Sequence, residues 1–212
     1  MFTAAESHSK MQIVPSRILN FLVLGTENND SSYFIEAFLN KDKLLDAQSH
    51  NDSSPVSMIT VAVQWGEEVL CVNLTRISSA ARLASSSTFA YERADGLIFI
   101  TSSPTIDNVQ ILTRWRKEIN SRTASNSMPA IFVIQRSENQ KLQEKAASTS
   151  MIKERGFNDV IQVLTGDSEH TQSVVRHLIW YVMGNEPKQL TNSYGTLLAA
   201  ASKGTISFGN LF

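Results

Sequence analysis

Gly25-Thr26-Glu27-Asn28-Asn29-Asp30-Ser31-Ser32 lies between a short apolar run and a helical pattern, where a phosphate-binding loop would stand. It meets the frame G-x-x-x-x-G-K-[ST] only at its first and last residues, Gly25 and Ser32. In that frame the second glycine lets backbone N–H groups close on phosphate oxygens, and the lysine supplies compensating charge. Asp30 stands in place of that glycine and Ser31 in place of the lysine. Glu27 and Asp30 instead put negative charge beside where a polyanion would sit. The segment Gly25, Asp30, Ser31, Ser32 therefore reads as a degenerate phosphate-loop remnant, with no cofactor expected. Other reactive residue types are as poorly supported. His170 and His177 are two helical turns apart without a His or Cys partner at metal spacing, so they read as surface histidines and no metal site is expected. Cys71 sits inside an apolar strand pattern and reads as a buried structural thiol. Ser85-Ser86-Ser87 has no patterned base and reads as a polar loop. No residue set here carries catalysis, and the chain is not expected to be an enzyme.

Composition narrows the remaining classes. The 212 residues are 42% apolar, with 19 basic against 20 acidic side chains and a net charge of -1. Without a Lys/Arg cluster there is nothing to neutralise a run of phosphates, so neither direct nucleic-acid binding nor a polybasic membrane patch is expected. A single cysteine excludes an internal disulfide framework and points to a reducing compartment. No run approaches the roughly 20 apolar residues that span a bilayer. Residues 1 to 20 lack a secretory apolar region, and Gly209-Asn210-Leu211-Phe212 offers no cysteine for a prenyl group. An intracellular protein with no membrane anchor is the expectation.

The elements that must position these residues follow from periodicity. Residues 1 to 17 are polar and unpatterned and read as a flexible arm. Phe21 to Leu24, Gly96 to Thr101 and Ala130 to Gln135 are continuous apolar runs of the kind buried on both faces of a parallel sheet, and Val160 to Leu164 is a weaker one. Ile59, Val61, Val63 and Trp65 alternate with Met58, Thr60, Ala62 and Gln64; Gly66-Glu67 turns the chain, and Val69 to Leu74 returns as the second strand of a hairpin. Residues 40 to 57 read as loop. Helical spacing links Phe34, Ile35, Phe38 and Leu39, with Asp30 or Ser31 as N-cap; Ile111, Leu112, Trp115 and Ile119; Leu142, Ala146 and Ile152; and Val174, Val175, Leu178, Ile179 and Val182. Trp180 and Tyr181 cannot both share the buried face of that last helix, which leaves one aromatic exposed for a partner. The order predicts a three-layer α/β/α fold whose mixed six-stranded sheet contains one antiparallel hairpin. The domain spans 18 to 185, and a tail from 186 to 212 carries Leu197, Leu198, Phe208 and Phe212 as candidate partner-docking residues.

Residues 91 to 119, YERADGLIFITSSPTIDNVQILTRWRKEI, resemble the fourth strand and following helix of Ras-like, particularly Rab-type, small GTPases, above all in Ala94-Asp95-Gly96 opening an apolar strand and in the helix carrying Trp115. The resemblance implies a G-domain topology over residues 18 to 183. Counted back from Ala94, Arg76-Ile77-Ser78-Ser79 falls on the family's D-x-x-G turn and Ala80 on its water-positioning glutamine. The family's base-reading N-K-x-D falls on Gln135-Arg136-Ser137-Glu138, a degenerate remnant at Gln135, Arg136 and Glu138. With lysine, acid, glycine and glutamine all replaced, hydrolysis by the family mechanism has no residues to run on, and the resemblance implies a pseudo-GTPase.

Two such families compare with this chain. The centromere protein M family, an inactive subunit of the inner kinetochore, resembles it at Leu22 to Asn28, at Phe38-Leu39-Asn40-Lys41-Asp42, at Arg93 to Thr101 and in a leucine-bearing tail, but shortens the hairpin. The alpha- and gamma-adaptin-binding protein family resembles it in keeping the hairpin and in Ile152-Lys153-Glu154-Arg155-Gly156-Phe157, a helix ending in Gly-Phe before the last strand; its long acidic extension is missing here. The implied function is a non-catalytic scaffold for other protein subunits. The leading assignment is a nuclear inner-kinetochore component; the alternatives are a cytoplasmic adaptin-binding assembly chaperone of vesicle trafficking and a divergent nucleotide-binding Rab-like protein.

Overall fold

Apolar side chains on both faces of the same strands require a cover on each side, and the helices divide between the two faces accordingly. The computed structural model describes residues 15–39, 56–123, 128–137 and 147–184. In chain order the elements are β1 (Arg17–Gly25), α1 (Asn28–Leu39), β2 (Val56–Trp65), β3 (Glu68–Ile77), a 3-10 turn (Ser79–Ala81), α2 (Ser85–Glu92), β4 (Gly96–Thr101), α3 (Ile106–Arg122), β5 (Ala130–Arg136), α4 (Thr149–Glu154), β6 (Asp159–Leu164) and α5 (Ser168–Met183). The six strands form one sheet in the order β2-β3-β1-β4-β5-β6, with β2 antiparallel to β3 and every other pair parallel. The fold is three-layer α/β/α. Leu19, Phe21 and Val23 of β1 face Phe34 of α1 and Val174 and Leu178 of α5, whereas Leu22 and Leu24 face the opposite layer, built on Tyr91, Leu112, Trp115 and Ile152.

Two glycines set the geometry. Gly66 takes a φ of 61°, which a two-residue hairpin turn requires, and the β2/β3 register then runs unbroken from Trp65↔Glu68 to Val56↔Ile77. Gly96 is where α5 lies closest to the sheet: a Cβ there would stand 3.0 Å from Cγ, Cδ1 and Cδ2 of Leu178.

Several local expectations are corrected. Helix α1 starts at Asn28, ahead of the expected cap, so Asp30 lies in its first turn. Ser85–Ser87 is the first turn of α2 rather than a loop; Ser87 is buried and its hydroxyl donates to the Ala81 carbonyl at 2.6 Å. Ile111 is exposed, and Val109 takes its place on the buried face of α3. Leu142 and Ala146 lie outside the described residues; α4 begins at Thr149, capped by the Ser148 hydroxyl, which accepts the Met151 N–H at 3.2 Å. β2 begins at Val56, inside the stretch read as loop. Trp180 and Tyr181 are both half-buried, with ring centroids 4.7 Å apart, instead of one buried and one exposed.

Candidate functional site

In a parallel α/β sheet the strands' carboxyl ends and the first helix's N-terminus form the usual ligand crevice. Here the β1–α1 loop fills that place from within. The Asp30 side chain is 3% exposed, and its Oδ2 accepts the Thr26 hydroxyl at 2.8 Å and the Glu27 N–H at 3.1 Å. A carboxylate at a helix N-terminus is stabilised by the partial positive charge of the unpaired N–H groups, the charge that would otherwise hold a phosphate. Gly25 is needed for this closure, because a Cβ there would lie 2.8 Å from the Glu27 carbonyl oxygen and 2.9 Å from Cβ of Asp30. Ser31, which the resemblance sets in the lysine position, is 1% exposed, and its hydroxyl has no hydrogen-bond partner among the described residues. A buried unpaired hydroxyl costs free energy.

The second charge comes from β3. Arg76, 9% exposed, donates from Nη1 to Ser32 Oγ at 3.0 Å and from Nε to Ser57 Oγ at 3.0 Å. On the small-GTPase resemblance, Ser32 would fall where a phosphate loop's hydroxyl reaches a divalent cation, and Arg76 where the acid that orders that cation stands. A guanidinium bonded to this hydroxyl places a fixed positive charge where the cation would bind, so these residues do not fit a metal. Asp30 likewise leaves the loop unfit for a polyphosphate. In the sequence Arg76 stands out only as the absence of an acid; its bond to Ser57 depends on the pairing Ser57↔Arg76 across the hairpin.

The neighbouring strand ends complete the crevice. Thr101, at the end of β4, is fully buried, with its Oγ1 3.1 Å from Thr26 Oγ1, and it accepts the Ser103 N–H at 3.2 Å. Gln135, which the resemblance sets in the base-reading position, is 2% exposed, and its amide nitrogen has no hydrogen-bond partner among the described residues. Arg136 is half-buried; its carbonyl accepts the Thr165 N–H at 2.7 Å and the Thr165 hydroxyl at 3.1 Å. Glu138 lies outside the described residues, as do Leu197, Leu198, Phe208 and Phe212. Thr101 went unnoticed in the sequence because a threonine closing an apolar strand carries no signal of its own.

The remaining candidates are dispersed. His177 is exposed, and so is His170, whose Nδ1 lies 2.6 Å from Asp167 Oδ2. Asp167 caps α5, and accepting the His170 backbone N–H holds its carboxyl below the usual carboxylate range. Burial raises the Cys71 thiol and makes it a weak nucleophile. Burial also raises Tyr181, which packs against the core and donates to the Asn158 carbonyl at 3.3 Å. Among the described residues no group of three or more His, Cys, Asp or Glu side chains could hold a metal ion, and no helix is long and apolar enough to cross a membrane. In comparison with known proteins, no family model and no curated protein matches the chain.

Proposed function

We propose that the chain is a pseudo-GTPase, a non-catalytic scaffold whose surface binds other protein subunits. The observation that carries the reading is Arg76 hydrogen-bonded to Ser32 at 3.0 Å, a cation of the protein's own at the place of the family's metal. The strand order β2-β3-β1-β4-β5-β6, with β2 alone antiparallel, supports the small-GTPase resemblance on which the reading rests. A fold without nucleotide, metal or catalytic groups retains its surface as its means of action. The test is direct: the purified protein, boiled and resolved by anion exchange, releases no stoichiometric GDP or GTP, and release of either overturns the reading.

Two homes for such a scaffold follow from the resemblances: the inner kinetochore, with a centromere protein M-like subunit in the nucleus, or the cytoplasmic handling of adaptins. The hairpin favours the second. Its strands are ten residues each, and the centromere protein M family shortens this region. The Gly156-Phe157 pair also has a structural reason: Gly156 has a φ of 93°, and Phe157 inserts edge-on against Phe99 and Phe132, with centroids at 5.5 and 5.1 Å. Affinity capture of the tagged chain from its own cells with mass spectrometry separates the two. Adaptins among the captured proteins support the trafficking assignment, and inner-kinetochore subunits replace it with the nuclear one.

A further inference from the structure

An arginine drawn partly out of water normally has an acid beside it, because an unpaired charge is costly to desolvate. Arg116 of α3 has none. It is half-buried, and among the described residues it makes no hydrogen bond and no ion pair. Its guanidinium lies over the Phe157 ring, 5.1 Å from the centroid, and a Cβ on Gly156 would stand 3.0 Å from its Nη1. Nε is turned inward, buried and unbonded, and Asn120 Oδ1, one turn further along α3, is buried and unbonded as well. Burial lowers the Arg116 pKa, and no neighbouring charge contributes to the shift. The guanidinium stays protonated, and its Nη1 and Nη2, which are not enclosed, form an open fork at the surface.

The charges nearby in sequence add to this one. Lys117 follows Arg116 on the helix and Arg155 precedes Gly156; both are exposed, and neither has an ion pair among the described residues. The neighbouring acids are already engaged: Glu118 pairs with Arg82 and Arg122, and Asp159 with Lys153. Only the exposed Glu154 stands against Arg116, Lys117 and Arg155.

We propose that Arg116 is the seat for a carboxylate of a partner protein, an aspartate or glutamate in an acidic segment that lies between α3 and the end of α4. The outer fork of Nη1 and Nη2 matches the two oxygens of a carboxylate. Phe157 beneath the guanidinium and Gly156 beside it fix its place in advance, so little freedom is lost when the partner binds. The unpaired cations around the seat select an acidic segment over a neutral or basic one. Gly156 thereby has a second use, since any larger residue would press on Nη1. The inference deepens the scaffold reading and rests on it for the partner's being a protein.

Binding of a fluorescein-labelled hexaglutamate peptide to the full chain, read by fluorescence anisotropy, is expected to saturate with a Kd below about 1 mM and to weaken as salt is raised. Arg116→Gln is expected to weaken it at least about tenfold with unchanged circular dichroism, through loss of a charge-assisted bond. Arg116→Lys keeps the stem and the charge but not the fork, and is expected to weaken it about threefold or more. Lys117→Gln and Arg155→Gln are each expected to cost less than Arg116→Gln. A parent chain that does not bind the peptide overturns the proposal. So does a folded Arg116→Gln that binds as the parent does, which leaves Arg116 a packing role only, or an equal loss at all three positions, which marks a diffuse field rather than a seat. Displacement of the peptide by inorganic phosphate at a lower concentration than by glutarate also overturns it, in favour of a phosphate. If Arg116→Gln does not fold, Arg116→Lys decides, and parent-like binding by it overturns the fork. Failure of the peptide to bind leaves the nucleotide-release test of the scaffold reading standing, whereas release of GDP or GTP overturns that reading whatever the peptide does.

Discussion

Replacing Arg76 by alanine removes, among its interactions, two hydrogen bonds from a charged donor, each 3.0 Å long, at a site 9% exposed. Hydrogen bonds to charged groups contribute about 1.5–3 kcal/mol each. The Ser57 and Ser32 hydroxyls are half-buried rather than fully enclosed, and water admitted by the shorter side chain recovers part of this loss. The expected cost is about 3 kcal/mol, a large share of the roughly 5–15 kcal/mol that holds a typical domain together. Arg76→Lys keeps the charge but not the fork that lets Nε and Nη1 serve two acceptors at once, so about half of the loss is expected. Equilibrium urea unfolding reads both. With a slope of about 2 kcal/mol per molar, Arg76→Ala lowers the midpoint by about 1.5 M. Ser57→Ala in the Arg76→Ala background then costs less than in the parent, with a coupling of about 1 kcal/mol. A midpoint for Arg76→Ala within about 0.3 M of the parent, roughly 0.6 kcal/mol at that slope, refutes the tether, because surface substitutions alone produce shifts of that size.

Other perturbations test separate parts of the structure. Gly96→Ala drives a Cβ to 3.0 Å from three atoms of the fully buried Leu178 and is expected to cost about 1–3 kcal/mol in the same unfolding assay; Leu178→Ala in the same chain should cost less than the sum of the two. Asp167→Ala is expected to cost about 1 kcal/mol at pH 7 through loss of the α5 cap. Because the folded carboxyl titrates below its unfolded value, that difference is complete above about pH 4 and vanishes as acid carries the pH down through the folded value, which unfolding at stepped pH resolves. Cys71, buried and with a raised pKa, is expected to react with a thiol reagent at least about 100-fold more slowly in the native chain than in urea; rapid labelling of native protein contradicts its placement.

The strands were legible where an apolar run met a clear boundary. GLIFIT fills Gly96–Thr101 as the run predicts, and AIFVIQ gains only Arg136. These strands are buried on both faces, so each residue carries the same signal. Three consecutive serines carry none. The start of α2 is set instead by tertiary contacts: Ser87 is bonded to Ala81, and the Tyr91 hydroxyl accepts the Trp115 indole N–H at 3.1 Å. In the site, the departures from the small-GTPase pattern at Asp30, Ser31 and Arg76 could be read residue by residue, but the contacts these side chains make could not. The Ser57 contact was nonetheless implicit, since counting outward from the Gly66-Glu67 turn arrives at Ser57 opposite Arg76. The contact to Ser32 lies between distant segments and needed the crossing of β1 beside β3 to bring α1 over that strand end.

The exchange of charges also bears on how such a fold stays in one shape. A domain whose loop closes on a bound anion and cation draws part of its stability from them, by an amount that grows with their concentration relative to Kd. Here the anion at the N-terminus of α1 is Asp30 and the cation on Ser32 is Arg76, both covalently part of the chain and therefore present at fixed effective concentration. On the pseudo-GTPase reading proposed above, removing free nucleotide or magnesium has nothing to unbind, and the β1–α1 loop, the end of β3 and the start of β2 are expected to keep their positions relative to one another. A switch needs two states separated by a ligand's differential affinity. On the same reading, an internal ion on each side of the loop removes that lever, and the constant surface expected to result is the property the proposed scaffold role requires.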